Sequence, residues 1–532
     1  MVGIRRQLSS GYNGTTASDV AFFKSVVGEA HVASEGTRLE DAGVDWMKKY
    51  RSPASVAVFP RSTEEVSRVL RHCNGRKIPV VPQGGKTGLV GGGVPLGERG
   101  LREVVIAMGR MRTIEPFPEK GAPVVECEAG VVLEDLDQYL APFGCRVPLD
   151  LGAKGSCQIG GNISTNAGGM SKRKAATKLF FQFFKLIYFL QCFLFLCLLE
   201  GTRYLRYGSL HGSVLGMEAV LADGTVLRDT ISGADNNNAT TTTHRCNALR
   251  KDNTGYDLKH MFIGSEGTLG IVTRVALLCP PRLPATNVLV LAASSFEGCV
   301  ESFQHARREL SEILSAFEFF DGQSLGLVLE HIAGSKDPLP QDRYPFYCLV
   351  ETSGSRHEHD LNKIATFLSN AVDQGHVLDG VVAQDATQAA QFWKLRESIT
   401  LALAGSGKVH KYDLSISLPR MYELVEITRR RLADTAAETV GYGHLGDSNL
   451  HLNVLCREPD ARVQEILEPF TYQWTRDQGG SISAEHGIGQ MKSQYLSYSK
   501  PPAYIGVMGS LKKALDPNGI LNPGKVLALP EQ

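Results

Sequence analysis

The stretch Gly443-His444-Leu445-Gly446-Asp447-Ser448-Asn449-Leu450-His451-Leu452-Asn453, answered downstream by Ala484-Glu485-His486-Gly487, places polar chemistry where a fold usually spends residues on packing. On a strand, Leu450 and Leu452 point to one face while His451 and Asn453 point to the other. His444 sits in a Gly-bounded segment expected to form a turn that folds back towards them. With Glu485 the set becomes two imidazoles and one carboxylate, which suits Zn²⁺ or a similar divalent ion with an open coordination position. His486 is left over as a candidate general base, with an ordinary pKa of roughly 6.5. A packing role stays open at this point, because H-x6-H is not a standard metal spacing.

Two Gly-rich loops suggest a second chemistry. Backbone N–H groups can approach a pyrophosphate closely only where no Cβ intervenes, and successive amides in such loops form an anion-binding nest. Gly84 to Gly88 offers one such loop and Gly160 to Gly169 another. The dinucleotide fingerprint of a Rossmann fold requires G-x-G-x-x-G with an acid about 20 residues on. Gly84-Gly85-Lys86-Thr87-Gly88 does not match it. Two separated loops around one diphosphate point instead to a flavin held between subdomains.

The elements that must position these groups follow from local pattern. Ser55 to Pro60 reads as a strand, and Ser62-Thr63-Glu64-Glu65 opens a helix with Ser62 as N-cap and Glu65 completing a capping box. Ile78 to Pro82 is a second strand leading into the first Gly loop. Val124 to Gly130 and Val214 to Leu221 give further strands, the latter closed by a hairpin turn at Asp223-Gly224. After Pro280-Pro281 the pattern shifts to alternating helices and strands, which marks a domain boundary.

At 532 residues the chain is long enough for about two or three domains. Lys+Arg 56 balances Asp+Glu 56, which leaves no electrostatic footprint for nucleic acid. The 11 cysteines are odd in number and include no C-x-x-C pair, which argues against an iron–sulfur cluster or a secreted disulfide framework and favours a reducing compartment. Residues before Asp19 carry Arg5, Arg6, several Ser and Thr, and no acid, as a short organelle presequence would.

Two segments do not fit the pattern. The Asn/Thr-rich run 235–246 reads as a disordered surface insertion. From Leu179 to Leu199, 18 of 21 residues are apolar, behind a basic flank of Lys172, Arg173, Lys174 and Lys178. By length this could be a transmembrane helix. It interrupts the second Gly loop, however, and deleting 170–201 joins Gly169 to Thr202 in an uninterrupted loop. Gly169-Met170-Ser171 can be encoded with GTATGT, a splice-donor sequence, and a Phe/Leu/Cys-rich peptide is what a pyrimidine tract before an acceptor encodes. We read 170–201 as translated intron sequence, with a membrane-anchored or inactive product as the alternative.

Several motifs together resemble the FAD-linked 2-hydroxyacid dehydrogenases, which are vanillyl-alcohol-oxidase-type flavoproteins. They are Pro82-Gln83-Gly84-Gly85, Asp150-Leu151-Gly152-Ala153-Lys154-Gly155-Ser156, Gly160-Gly161-Asn162 with Asn166-Ala167-Gly168-Gly169, Asp252-Asn253-Thr254-Gly255-Tyr256-Asp257-Leu258, and Gly264-Ser265-Glu266-Gly267-Thr268-Leu269-Gly270. The resemblance covers roughly residues 40 to 528 apart from the two insertions. It implies that Gly84, Gly85, Thr87 and Gly88 line the FAD pyrophosphate, with Gly161, Asn162, Thr165, Asn166 and Gly168 on the second loop. Glu266, Gly267 and Ile271 would lie along the cofactor, and Asn522 would approach the flavin ring. His444, His451 and Glu485 match the metal ligands, Asn453 a substrate contact and His486 the catalytic base. Arg396 and Thr400, four apart on an apparent helix and so on one face, match with Lys411 the positions that grip substrate carboxylates. Lys86 and Ser448 depart from the pattern, standing where relatives usually have Asn and Gly.

The resulting expectation is an α+β protein. Residues 1–50 form an N-terminal extension (presequence and helix) and 51–282 a two-subdomain FAD-binding domain. Residues 283–480 form an α/β substrate cap, and 481–532 a C-terminal helical segment returning to the flavin site. The resemblance further implies oxidation of a D-2-hydroxy acid, D-2-hydroxyglutarate ahead of D-lactate or glycolate. The electrons would pass to an electron-transfer flavoprotein or similar acceptor in the mitochondrial matrix.

Overall fold

The two runs read as strands, 55–60 and 78–82, join a four-stranded sheet with two strands not read from sequence, in the order Val32–Ala33, Val56–Val58, Val104–Ala107, Val80–Gln83. Val104–Ala107 runs parallel to both of its neighbours. Parallel pairing needs a crossover, and helix Thr63–Arg76 follows the strand Val56–Val58. Ser62 caps that helix by accepting the Glu65 N–H at 3.2 Å. The reciprocal half of the expected capping box is not made: Glu65 accepts the N–H of Arg61 at 2.8 Å. The Arg61 guanidinium, 3.3 Å from the same carboxylate, draws it outward. The structure, a computed structural model, describes residues 11–97, 101–116, 123–149, 151–167, 204–229, 246 and 249–528. The apolar segment 170–201 lies outside these residues, as does 235–246 apart from Cys246.

A second four-stranded sheet, wholly antiparallel, has the order Val124–Glu128, Ile271–Leu278, Val214–Val220, Val226–Arg228. Its hairpin turns at Asp223-Gly224 as expected, with Gly224 at φ +84°. Helix Ile159–Thr165 packs on this sheet through Ile159 and Ile163.

The third sheet has seven strands in the order Asp379–Val382, Ala285–Ala293, Phe346–Gly354, Leu314–Asp321, Glu438–His444, Asn449–Cys456, Lys408–Ser415. Helices and strands alternate along the chain here, yet every pairing is antiparallel. Alternation within strands divides the core. Leu289, Leu291, Phe317 and Phe319 face helices Phe296–Glu309 and His357–Asp373. Val288, Val290 and Phe320 face helices Gly322–His331 and Ala386–Ser406. Each such buried side chain contributes roughly 1.5–3 kcal/mol over its exposed state.

After helix Pro502–Leu515 the chain rejoins the first sheet, where Val80 N–H bonds Ile520 O and Asn522 N–H bonds Val80 O, both at 2.8 Å. Among the described residues no helix is long and apolar enough to cross a membrane.

Candidate active site

Cross-strand register assembles the site. Asp413 pairs with His451 and His451 with Tyr442, while Lys411 pairs with Asn453. Further along the same face, Glu318 pairs with His444 and His444 with Asn449. Partners across a ladder and residues two apart along a strand share a face, so these side chains form one polar field on the sheet. Helix Ala386–Ser406 lies over it and adds Arg396 and Thr400. The sequence-derived facing of His451 and Asn453, opposite Leu450 and Leu452, holds. His444 is not on the turn, as expected, but is the last residue of its strand. The His444–Asn449 pair closes the ladder there, leaving residues 445–448 to make the turn.

His444 Nε2 and His451 Nε2 are 3.4 Å apart. Glu485 Oε1 approaches His444 on its Nδ1 edge at 3.7 Å. One ligand atom from each of His444, His451 and Glu485 lies within 4.8 Å of the others. Asp413, His451 and His486 meet the same spacing, but the Asp413 carboxylate already accepts N–H groups from Glu485, His486 and Asn449. The first set fits a divalent ion better. Burial, with the neighbouring His444, drives the His451 pKa well below its usual value, which keeps it in the neutral form that ligates. Burial also opposes charge on His444, but the carboxylates of Glu318 and Asp447 outweigh it and raise its pKa. Burial likewise opposes ionisation of Asp413, but His486 and Lys492 outweigh it and hold its pKa below the usual carboxylate range.

The two glycine loops line one continuous cleft, and Glu485 and His486 stand in its wall. Gly84, Gly85, Thr87, Gly88, Gly161, Asn162, Thr165, Glu266, Gly267 and Ile271 all border it. At Gly85 a Cβ would stand 2.1 Å from Ser156 O, so a side chain there would push the loops apart. Gln158 Oε1, Asn162 Oδ1 and Asn166 Oδ1 are buried acceptors with no hydrogen-bond partner among the described residues. Buried polar atoms usually find partners, and a flavin nucleotide carries amide and hydroxyl donors, so Gln158 and Asn162, which border the cleft, fit FAD.

Asn166 and Asn522 stand beside this cleft without bordering it. Asn166 ends helix Ile159–Thr165 at φ +51°. Asn522 braces the wall from behind, donating to Gly92 O at 3.1 Å and Glu266 O at 2.8 Å and accepting from Lys525 Nζ at 2.8 Å. Gly168 lies outside the described residues.

Arg396 is buried against Glu318, with Nε and Nη2 at 3.0 and 2.9 Å from the same oxygen. Thr400 Oγ1 is 2.8 Å from Tyr442 OH. The Asn453 amide oxygen is buried and has no hydrogen-bond partner among the described residues. Glu318, Asp413 and Tyr442 were not foreseen from sequence. The available signal for Glu318 was one carboxylate in the apolar run Phe317-Glu318-Phe319-Phe320.

The arrangement matches known proteins closely. Residues 54–187 match the family description "FAD binding domain" and residues 282–526 match "FAD linked oxidases, C-terminal domain". A 4-ethylphenol oxidase from Gulosibacter chungangensis shares the fold at TM-score 0.70 and 18% identity, covering 98% of this chain and 99% of that one. A p-cresol methylhydroxylase does so at TM-score 0.69 and 17% identity, covering 98% and 99%. The fold is thus that of the vanillyl-alcohol-oxidase-type flavoproteins. The mitochondrial D-2-hydroxyglutarate dehydrogenase of Arabidopsis thaliana is 45% identical over 97% of this chain and 82% of its own length. The rat enzyme of that name is 43% identical over 97% and 86%. A D-2-hydroxyglutarate–pyruvate transhydrogenase of Saccharomyces cerevisiae is 37% identical over 96% and 94%. The chain belongs to the FAD-linked oxidase family that includes the D-2-hydroxyglutarate dehydrogenases.

Proposed function

We propose that this protein oxidises D-2-hydroxyglutarate to 2-oxoglutarate. The observation that carries the reading is that Glu485, grouped with His444 and His451 in the candidate metal set, stands with His486 in one wall of the glycine-lined cleft. When bound, FAD supplies the hydride acceptor and a divalent ion, Zn²⁺ by its donor set, supplies Lewis acidity for the 2-hydroxyl and adjacent carboxylate.

The chain's own residues do the rest. Gly84, Gly85, Thr87 and Gly88, with Gly161, Asn162 and Thr165, hold the diphosphate and its neighbours. His444, His451 and Glu485 hold the ion. His486 turns Nδ1 towards Asp413, 3.7 Å away, and its Nε2 takes the hydroxyl proton. Arg396, Lys411, Thr400 and Asn453 bind the substrate, Arg396 through the guanidinium edge not turned to Glu318 and Lys411 as a point charge. Residues 51–282 act as the flavin domain, 283–480 as the substrate cap, and 481–532 bring His486 to the flavin cleft and Asn522 behind its wall. The relatives' names and the basic, acid-free N-terminus support a mitochondrial setting, and an electron-transfer flavoprotein is the proposed acceptor.

Steady-state rates with an artificial dye acceptor test the reading. A site built to hydrogen-bond a second carboxylate rejects a substrate lacking one by orders of magnitude. D-2-hydroxyglutarate is therefore expected to exceed D-lactate and glycolate in kcat/KM by at least about 100-fold. Comparable values for all three would assign the protein to D-lactate or glycolate instead.

A further inference from the structure

We propose that Asp413 and Glu266 are positioning residues that hold His486 from opposite sides, Asp413 from the cap sheet and Glu266 from the flavin cleft. The proposal rests on the reading of His486 as the base. Asp413 Oδ2 accepts the backbone N–H groups of Glu485 and His486, both at 2.9 Å. Glu266 accepts the next pair, Ile488 N–H on Oε1 at 2.6 Å and Gly489 N–H on Oε2 at 2.8 Å. Four amides in a five-residue segment are thereby taken up by two carboxylates rather than by a helix or a sheet. Both carboxylate residues are buried, 1% and 8% exposed, and the partly to fully buried amides would each give up a hydrogen bond if these acceptors were lost.

The residue between the two pairs is Gly487. It has φ +81°, and a Cβ there would stand 2.7 Å from Glu266 Oε1, so only glycine lets the segment lie this close to the carboxylate. Glu266 is itself held at φ +52°, a conformation rare for a residue with a side chain. Its carbonyl is pinned by Asn522 Nδ2 at 2.8 Å. Asp413 stands in ladder register with His451 of the metal set, and Glu266 borders the cleft beside the glycine loops. The distance from base to metal ligands and from base to flavin is therefore set by these two anchors. The Asp413 carboxylate also lies 3.7 Å from His486 Nδ1, so it faces the ring as well as the backbone.

The test compares Asp413→Asn, Glu266→Gln and His486→Ala in the FAD- and metal-loaded enzyme lacking residues 170–201, the form expected to bind flavin. Each amide variant keeps the shape but loses the charge. Glu266→Gln turns an NH₂ group towards one of its two backbone donors. Asp413→Asn, whose backbone donors share Oδ2, can meet them only by turning its NH₂ group on the Asn449 amide. Misplacing a general base by about 1 Å costs on the order of 100-fold. The expected result is a loss of about 100-fold in kcat in each amide variant with KM changed by less than about threefold. Flavin absorbance and metal content per chain should stay at wild-type values, and the isotope effect on a C2-deuterated substrate should change. If His486→Ala retains kcat, the base assignment fails and takes this proposal with it. If His486→Ala is inactive while both amide variants keep kcat within about threefold, far short of the misplacement cost, the positioning role alone is overturned. Loss of flavin or metal in step with activity also overturns it, because the carboxylates would then be maintaining the fold.

Discussion

Arg396, the residue matched to substrate binding, spends its guanidinium on Glu318, a fully buried carboxylate 2.9 Å away on the central strand of the cap. The Tyr442 ring, 4.6 Å from the guanidinium carbon, braces it from the side, and Tyr442 in turn meets Thr400. Glu318 also lies 3.6 Å from His444 Nε2, so substrate grip and metal cluster share one anion. Arg396 therefore brings orientation more than net charge.

Removing one partner from a buried ion pair leaves the other uncompensated, which costs on the order of 3–5 kcal/mol. Arg396→Met should lower stability by about that amount, read as the urea midpoint of the flavin-free protein. Adding Glu318→Met should restore much of the loss. A double variant no more stable than Arg396→Met would show that the two charges are not coupled.

With Arg396 offset, the distal carboxylate of a five-carbon diacid falls chiefly to Lys411. That residue is partly exposed on the strand Lys408–Ser415, in register with Asn453. Lys411→Met should cost little stability and reduce kcat/KM for D-2-hydroxyglutarate by about 100-fold, because burying an unpaired carboxylate costs several kcal/mol, while D-lactate is affected far less. Equal losses on both substrates would mean that Lys411 serves only the C1 carboxylate.

The parts of this site that could be read from sequence are those carried by local spacing. Period-two alternation gave His451 and Asn453 a common face, and the absent Cβ atoms marked the two loops that border the cleft. Glu318 and Asp413 escaped because their partners lie far along the chain, Arg396 78 residues from Glu318 and Glu485 72 residues from Asp413. Register across a sheet is not written in any window of sequence. The two departures, Lys86 and Ser448, now have a physical context. Both occupy the left-handed region, at φ +59° and +63°, where Asn and Gly are the least strained choices. Lys86 has a compensating contact, its Nζ lying 2.7 Å from Asp41.

Metal removal should separate the two chemistries. His444, His451 and Glu485 are distinct from the loop residues that face the diphosphate, so a chelator should abolish turnover while the flavin spectrum persists. Zn²⁺ or another divalent ion should then restore activity, and His444→Ala and Glu485→Ala should each lower metal content. Full rates in both variants after chelation would mean that the cluster is not metallic.

Lys525 predicts a pH signature. Its ammonium is buried, donating to Val94 O at 2.6 Å and Asn522 Oδ1 at 2.8 Å. Burial lowers its pKa from 10.5 to about 8 against the pull of Glu103 and Glu266. At pH values under the folded pKa the amine is charged in both folded and unfolded chains, and folding bears the whole cost of burying it. Above the unfolded pKa it is neutral in both, and the cost is gone. Stability from this group should rise between about pH 8 and 10.5, by on the order of 1–3 kcal/mol. Lys525→Met removes that linkage, so the difference in urea midpoint between wild type and variant should grow across the window. Parallel curves would show that the amine titrates as it does in water.

Residues 170–201 interrupt the second glycine loop in the sequence. The second glycine loop borders the cleft up to Ala167, and the match to the FAD binding domain ends at residue 187, inside the apolar segment. A loop that must present backbone amides to a diphosphate has no use for a run of 18 apolar residues among 21 in its middle. Exposed to water, such a run is an aggregation hazard; inserted in a bilayer, it would pull one wall of the flavin site away from the other. Deleting 170–201 joins Gly169 to Thr202 and should give soluble protein with about one FAD per chain, as expected of a loop whose amides form one nest, read from its visible absorption and from protein concentration. The full chain should be colourless or insoluble without detergent. Full-length protein that is yellow and active in detergent-free buffer would overturn the intron reading and make the segment part of the working enzyme.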